Sequence, residues 1–170
     1  MPLIVQKYGG SSVADAEKIL NAARRIGKVK DSGMAVVAVV SAMGDTTDEL
    51  IQLAQSITSQ PDPRELDLLL STGELVSCTL LTMALRTLGY QAISLSGIQA
   101  GIRTDTTHGR ARIHRIETDR VKQELAEGRL IVVAGFQGAT EDLDVTTLGR
   151  GGSDTTAVAL AAALGADRCE

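Results

Sequence analysis

The run at residues 34–40, MAVVAVV, limits the possible folds of this chain more than any other feature. It contains no polar residue and is rich in β-branched side chains. These properties predict a strand that is covered on both faces, which is typical of parallel sheets. Residues 130–134, LIVVA, form a second run of this kind, and residues 3–5 and 91–95 are shorter candidates for strands.

Helical periodicity separates these strands, because apolar residues recur at spacings of three and four. Helices are predicted at residues 13–30, 46–59, 64–88, 117–127 and 153–164, the third of them interrupted by STGE at 71–74. Residues 97–109 and 135–152 are predicted as loops, the first with short extended pieces, and the alternating residues 110–115 as a strand. Strands that alternate with helices form βαβ units. The predicted fold class is therefore α/β, a three-layer αβα sandwich with helices on both faces of a mostly parallel central sheet.

The composition excludes several classes of protein. A chain of 170 residues predicts one domain, and a net charge of −4 with 2% aromatic residues does not suit a nucleic-acid binder. No apolar run approaches the ~18 residues of a membrane span and no signal pattern opens the chain, so we expect no membrane association and a cytoplasmic location. Cys78 and Cys169 lack the spacing of a disulfide framework or zinc site, and His108 and His114 lie in no metal motif. We expect no metal site.

Three loops rich in Gly, Ser and Thr lead into predicted helices, at residues 7–12, 41–48 and 149–156. In sheets of this kind ligands bind beyond the carboxyl ends of the strands, and helix N-termini attract anions through their free N–H groups. The first loop adds a lysine and the third adds Arg150, whose guanidinium can hold a carboxylate with two hydrogen bonds. The loops therefore predict a phosphate ligand and a carboxylate ligand at one edge of the sheet.

Several of these residues also fit purely structural roles. The first loop fits an ordinary turn between strand and helix, and Ser153 or Asp154 fits the N-cap of the last helix. Glu74 fits either a capping box with Ser71 or a contact with a substrate ammonium group. The P-loop and dinucleotide-binding motifs are absent, because the Gly27-Lys28 pair lacks the spacing GxxxxGK[ST] and no GxGxxG follows the first strand.

Ordered motifs give the chain a family resemblance. KYGGSSV at residues 7–13 resembles the opening KxGG(T/S)SV signature of aspartate kinases, which belong to the amino-acid kinase superfamily. SAMGDTTD at 41–48, STGE at 71–74, VAGFQG at 133–138 and TLGRGGSDTT at 147–156 match that family in order and spacing. The resemblance covers essentially the whole chain.

The resemblance implies an activity and a site. The activity is the ATP-dependent phosphorylation of the L-aspartate side chain to 4-phospho-L-aspartate, with Mg²⁺ accompanying ATP, as the first step toward lysine, threonine and methionine. Lys7 and Asp154 would be catalytic, Glu74 would face the ammonium group of aspartate, and Arg150 would hold its α-carboxylate. The residues expected at the ATP phosphates are Lys7, Tyr8, Gly9, Gly10 and Ser41. The residues expected at aspartate are Thr47, Glu74, Arg150, Gly151, Gly152, Ser153 and Asp154.

The family continues past the segment that ends this chain, into most of the adenine and ribose site and then into regulatory ACT domains. We therefore interpret residues 1–170 as the N-terminal portion of an amino-acid kinase catalytic domain, truncated at the C-terminus and inactive alone, with an unpaired apolar sheet edge after Glu170. The full-length protein is expected to be a homo-oligomer. Two alternatives stay open: a kinase of the same superfamily with another acceptor, and a non-catalytic or regulatory module that retains the fold.

Overall fold

The computed structural model describes residues 1–170, the whole chain, and contains five α-helices and nine strands. The helices are α1 (Ala16–Asp31), α2 (Thr46–Ile57), α3 (Pro63–Thr87), α4 (Asp119–Ala126) and α5 (Gly152–Leu164). The strands are β1 (Leu3–Tyr8), β2 (Ala35–Val40), β3 (Ala92–Leu95), β4 (Ile102–Thr104), β5 (Ile113–Ile116), β6 (Leu130–Ala134), β7 (Gln137–Ala139), β8 (Val145–Thr147) and β9 (Arg168–Cys169).

The larger sheet is entirely parallel and has the order β3-β6-β2-β1-β9. All six residues of β2 are buried, as the run at 34–40 predicted. Strand β1 pairs with β2 from Leu3 opposite Ala35 to Tyr8 opposite Val40. Because the strands are parallel and in register, the loops that follow β1, β2 and β6 leave the sheet at the same edge.

Helices cover both faces of this sheet, which confirms the predicted three-layer α/β sandwich. Alternate side chains of a strand point to opposite faces. Val36, Ala38 and Val40 accordingly lie in an apolar cluster with α1 and α3. Val37 and Val39 lie in a second cluster with α4 and α5. The core is almost entirely aliphatic, and Tyr8 is its one buried aromatic residue.

A smaller four-stranded sheet, of order β5-β4-β7-β8, lies in segments predicted mainly as loops. Three of its strands have only three residues each, and they carry Thr, Gly, Gln or Arg in place of an apolar run. Strand β5 begins at Ile113 rather than at residue 110, and its His114 and Arg115 are exposed. The prediction of a loop at 135–152 is therefore wrong for β7 and β8.

Helix α3 is continuous through residues 71–74, contrary to the predicted interruption. The Ser71 hydroxyl donates to the Leu68 carbonyl at 2.7 Å, so it does not cap a new helix. Gly73 allows tight packing, because a Cβ there would lie only 3.0 Å from the Ala42 Cβ. Glycine in this position brings the helix close to the loop after β2.

Two further features bear on expectations from the sequence. Helix α3 has the length and apolar composition of a membrane span, with a mean hydropathy of 1.6 over 18 residues, but 56% of that window is buried inside the fold. At the C-terminal end of the chain, β9 pairs with β1, with Ile4 opposite Arg168 and Val5 opposite Cys169. The sheet edge at the end of the chain is thus a short strand with exposed Arg168 and Cys169.

Candidate active site

The three Gly/Ser/Thr-rich loops meet at one edge of the larger sheet, as the sequence predicted. They enclose a cavity of about 590 Å³, here called the loop pocket, whose floor includes the N-terminal half of α3. Lys7 at the end of β1 and Asp154 in the first turn of α5 form an ion pair, with Nζ 3.0 Å from Oδ1. The hydroxyl groups of Ser41 and Ser153 lie 2.7 Å apart. Residues almost 150 positions apart in sequence are therefore in direct contact.

Backbone contacts hold the first loop against the second. Gly10 opens a 3-10 turn that ends at Val13, and its carbonyl accepts a hydrogen bond from the Gly44 N–H at 3.0 Å. A Cβ on Gly10 would lie only 2.8 Å from the Ala42 carbonyl oxygen, so a larger residue would push the two loops apart. This close approach gives Gly10 a structural requirement that a plain turn would not have.

The third loop owes its shape to two left-handed glycines. Gly149 has φ +82° and Gly151 has φ +71°, and both conformations are costly for residues with a Cβ. Between them Arg150 is exposed at the rim of the loop pocket. Gly151 is the residue that precedes α5, so the prediction of Ser153 or Asp154 as the N-cap is wrong. Their side chains instead meet Ser41 and Lys7.

Glu74 is a buried acid on the pocket side of α3. Only 3% of the residue is exposed, and its Oε2 atom has no hydrogen-bond partner in the chain. Burial raises the pKa of this carboxyl from 4.5 to about 8, and hydrogen bonds with the backbone of Glu74 and Ala42 oppose the rise. Since the helix runs through Ser71 without a break, the capping role for Glu74 is excluded. A buried oxygen without a partner, directed into a cavity, is suited to bind a cationic ligand group.

Ser77, one turn further along α3, supports the second loop. Its hydroxyl donates to the Ser41 carbonyl at 2.6 Å and lies 3.2 Å from the Glu74 carbonyl. The same helix therefore carries Glu74 and fixes the backbone at Ser41. Thr47, at the start of α2, also borders the loop pocket.

Tyr8 is the predicted phosphate residue that the structure places apart from the others. Its ring is buried in the cluster with α1 and α3, and the guanidinium carbon of Arg25 lies 5.8 Å from the ring centroid. Burial raises the pKa of the phenol, while the charge of Arg25 opposes the rise. Only the backbone of Tyr8 can therefore take part at the phosphate end, next to Gly9.

The sequence analysis missed Asp67, which borders the loop pocket from α3. Its side chain is 1% exposed and accepts hydrogen bonds from the loop after β4 and from β8. A single acid within an amphipathic helix gives no distinctive sequence signal. Its position seven residues before Glu74, and hence on the same helical face, is the only clue that the sequence offers.

No group of three or more His, Cys, Asp or Glu side chains is arranged to hold a metal ion. Two of the acids at the site are matched with partners within the chain: Asp154 with Lys7, and Asp67 with N–H groups of Gly109 and Thr147. The arrangement offers an anion site at Lys7 and the N-terminus of α5, and a buried acid opposite Arg150. A zwitterionic ligand with an additional anionic group suits this distribution of charge.

Comparisons with known proteins identify relatives of this chain. Relatives include aspartokinase 2 of Bacillus subtilis, 59% identical over 170 residues, and the aspartokinase of Mycobacterium tuberculosis, 60% identical over 171 residues. Each match covers 100% of this chain but only 42% and 41% of the relative, so the chain spans about two fifths of their length.

Solved structures share the fold. Aspartate kinase from Synechocystis superposes with a TM-score of 0.86 at 50% identity, over 98% of this chain and 27% of that one. Aspartokinase III of E. coli in complex with aspartate and ADP gives 0.86 at 28% identity, over 98% of this chain and 48% of that one. The profile of the amino acid kinase family matches residues 2–170. The chain belongs to the amino acid kinase family.

Proposed function

We propose that this chain is the N-terminal portion of the catalytic domain of an aspartate kinase, which phosphorylates the L-aspartate side chain with ATP. The observation that carries the proposal is the buried, partnerless Glu74 oxygen in a residue that lines the same pocket as Arg150, Ser41 and Ser153. The Lys7–Asp154 pair lies next to this pocket, since Asp154 follows Ser153 in α5. The names of the relatives support it, as does the solved complex of a structural neighbour with aspartate and ADP.

Each end of the pocket suits one part of the two substrates. Glu74 would bind the ammonium group of aspartate, and Arg150 its α-carboxylate. Thr47 and the backbone of Gly151, Gly152 and Ser153 would border the acceptor. The γ-phosphoryl group would lie by Lys7, the backbone of residues 8–10 and Ser41. Asp154 would orient the Lys7 ammonium group through the ion pair described above.

The proposed reaction needs little from the protein beyond position and charge. A side-chain carboxylate with an ordinary pKa of ~3.9 is ionised at neutral pH, so no general base is required. One carboxylate oxygen forms a bond to the γ-phosphorus while the bond to the bridging oxygen breaks, and the electron pair leaves with ADP. Lys7 and the N-H groups of the first and third loops would balance the negative charge on the transferred group. Mg²⁺ would arrive with the nucleotide as part of the co-substrate.

The mutation of Lys7 tests the phosphate end. In the full-length protein that contains this chain, Lys7→Ala should lower kcat ~100-fold or more, as the removal of one electrostatic contact to a transition state does. Lys28→Ala is the matched control, because Lys28 is exposed at the end of α1, away from the pocket. Equal turnover by the two variants would contradict the role of Lys7.

The mutation of Arg150 tests the acceptor end. Arg150→Ala should raise the KM for aspartate and leave the KM for ATP near the wild-type value. Arg24→Ala, which alters an exposed guanidinium paired with Asn21 on α1, is the control. A change in the ATP KM alone would show that the acceptor site is elsewhere.

Calorimetry separates this proposal from a non-catalytic module with the same fold. Titration of this chain with aspartate and with an ATP analogue should give binding of aspartate without tight binding of nucleotide, because we propose that the part of the relatives' length that this chain does not span supplies the adenine site. Binding of neither ligand would favour the module. We further propose that the full-length enzyme is cytoplasmic and homo-oligomeric. Its molar mass in solution, measured by light scattering, tests the oligomeric state.

A further inference from the structure

We propose that Asp67 is a positioning residue that fixes the distance between the ammonium end and the carboxylate end of the aspartate site. The proposal rests on the proposed function, because it concerns how the acceptor is held. It adds a residue that makes no contact with the substrate. The proposal is based on the large number of hydrogen bonds that the buried Asp67 carboxylate accepts.

Donors from two separate segments occupy both oxygens of Asp67. His108 Nδ1 lies 2.7 Å from Oδ2, and the Gly109 N–H lies 3.1 Å from each oxygen. The Thr147 N–H donates to Oδ2 at 3.1 Å, and the Thr147 hydroxyl donates to Oδ1 at 2.7 Å. Because these partners satisfy the carboxylate, it has no capacity left for a ligand. Its role must be to hold the segments that donate to it.

The two segments lead directly to the residues that would grip aspartate. Thr147 is the last residue of β8 and lies three positions before Arg150. Gly109 packs against the same loop, since a Cβ on Gly149 would lie 3.2 Å from the Gly109 carbonyl oxygen. Asp67 therefore fixes the start of the Arg150 loop in two ways: directly through Thr147, and indirectly through Gly109.

The same helix carries the other end of the site. Glu74 follows Asp67 by seven residues, so the two acids lie on one face of α3 and are separated by about 10 Å along its axis. The helix is continuous between them. Helix α3 therefore carries both Glu74 and Asp67, the residue that anchors the Arg150 loop. The helix sets the distance between the two groups that would bind the ammonium and the carboxylate of the ligand.

Asparagine cannot replace this carboxylate. Its amide group offers one acceptor oxygen, and its NH₂ group would face N–H donors that also need an acceptor. Asp67→Asn keeps the size of the side chain but loses at least one hydrogen bond to a charged group. The Arg150 loop would then leave its position in most molecules of the free protein. A binding-competent fraction of about one tenth corresponds to an about tenfold loss of apparent affinity.

Asp144 provides a matched control. It also joins α3 to the strand pair β7–β8, because the Arg64 guanidinium donates to its Oδ1 at 2.9 and 2.7 Å. This link is partly exposed and lies outside the loop pocket. Asp144→Asn therefore weakens a contact between the same elements without touching His108, Gly109 or Thr147.

The experiment is steady-state kinetics on the full-length wild type, Asp67→Asn and Asp144→Asn, with melting temperatures in parallel. For Asp67→Asn we expect the KM for aspartate to rise about tenfold while the KM for ATP stays within about twofold. For Asp144→Asn we expect both KM values to stay within about twofold. If Asp67→Asn does not fold, Thr147→Val, which removes one donor hydroxyl, should raise the aspartate KM alone.

Two results would overturn the inference. One is an unchanged aspartate KM in Asp67→Asn with a lower melting temperature, which would make Asp67 a purely structural residue. The other is an equal rise in both KM values, which would mean that the pocket loosens as a whole. A wild-type enzyme that does not phosphorylate aspartate would instead refute the proposed function, so the two failures are distinguishable.

Discussion

The buried acid Glu74 should make the stability of the folded chain depend on pH in an unusual direction. Burial raises its pKa from 4.5 to about 8, so the native state binds a proton at pH values where the unfolded chain does not. A raised pKa of this kind stabilises the fold fully below pH 4.5, and the contribution is lost as pH rises through 8. Glu74→Gln replaces the acid by a neutral group of the same size, whose contribution does not vary with pH.

The size of the effect follows from the pKa shift. Each unit corresponds to about 1.4 kcal/mol, so the complete change between pH 4.5 and 8 is about 5 kcal/mol. Between pH 5 and 7 the free energy of unfolding of the wild type should fall by about 3 kcal/mol relative to Glu74→Gln. That difference is large beside a typical stability of about 5–15 kcal/mol for a whole domain.

Urea unfolding of both chains at pH 5, 6, 7 and 8 measures this difference. Subtracting the Gln variant from the wild type at each pH cancels the titration of every group that the two chains share. A difference that is flat across the series would refute the reasoning, because it would mean that Glu74 is already ionised and paired in the native state. A difference that grows with pH would mean that its native pKa is lowered.

Three other perturbations test the site and the core. In the full-length enzyme the KM for aspartate should fall about tenfold from pH 6 to pH 7, because only ionised Glu74 binds the ammonium group. A KM that does not change with pH would contradict this role of Glu74. Gly10→Ala should lower kcat at least ~10-fold and also lower the melting temperature, since its Cβ would lie 2.8 Å from the Ala42 carbonyl oxygen. Normal turnover would contradict the close packing of the loops. Leu81→Ala, at a fully buried position, should cost about 2–5 kcal/mol in urea unfolding and leave both KM values unchanged.

The sequence was sufficient to predict the larger sheet because its physical signal is local. Residues buried on both faces of a strand must be apolar, so β2 and β6 appear as continuous runs. The convergence of the first two loops also follows from the sequence, because parallel strands place their carboxyl ends at one edge. The third loop follows β8 of the smaller sheet, so its position depends on tertiary packing. The Gly/Ser/Thr-rich composition of the three loops nevertheless predicted Lys7, Ser41, Arg150 and Asp154 at one edge of the sheet.

The features that were missed depend on tertiary contacts. Strands β7 and β8 are three residues long and partly polar, so pairing with β4 and with each other defines them, rather than any apolar pattern. The STGE segment contains a helix breaker by propensity, yet packing against Ala42 keeps Gly73 within α3. Asp67 acquires its importance only from partners about 40 and 80 residues away.

The order of strands in the larger sheet has a consequence for the kinetics of folding. Neighbours β2 and β6 are separated by some 90 residues of chain, and β1 and β9 by about 160. Pairing over such distances is slow, because the loop must close before the contact gains any energy. The Lys7–Asp154 pair needs β1 and α5 to be in place together. The binding site should therefore be absent from partly folded intermediates, and ligand binding during refolding would report the final step of folding.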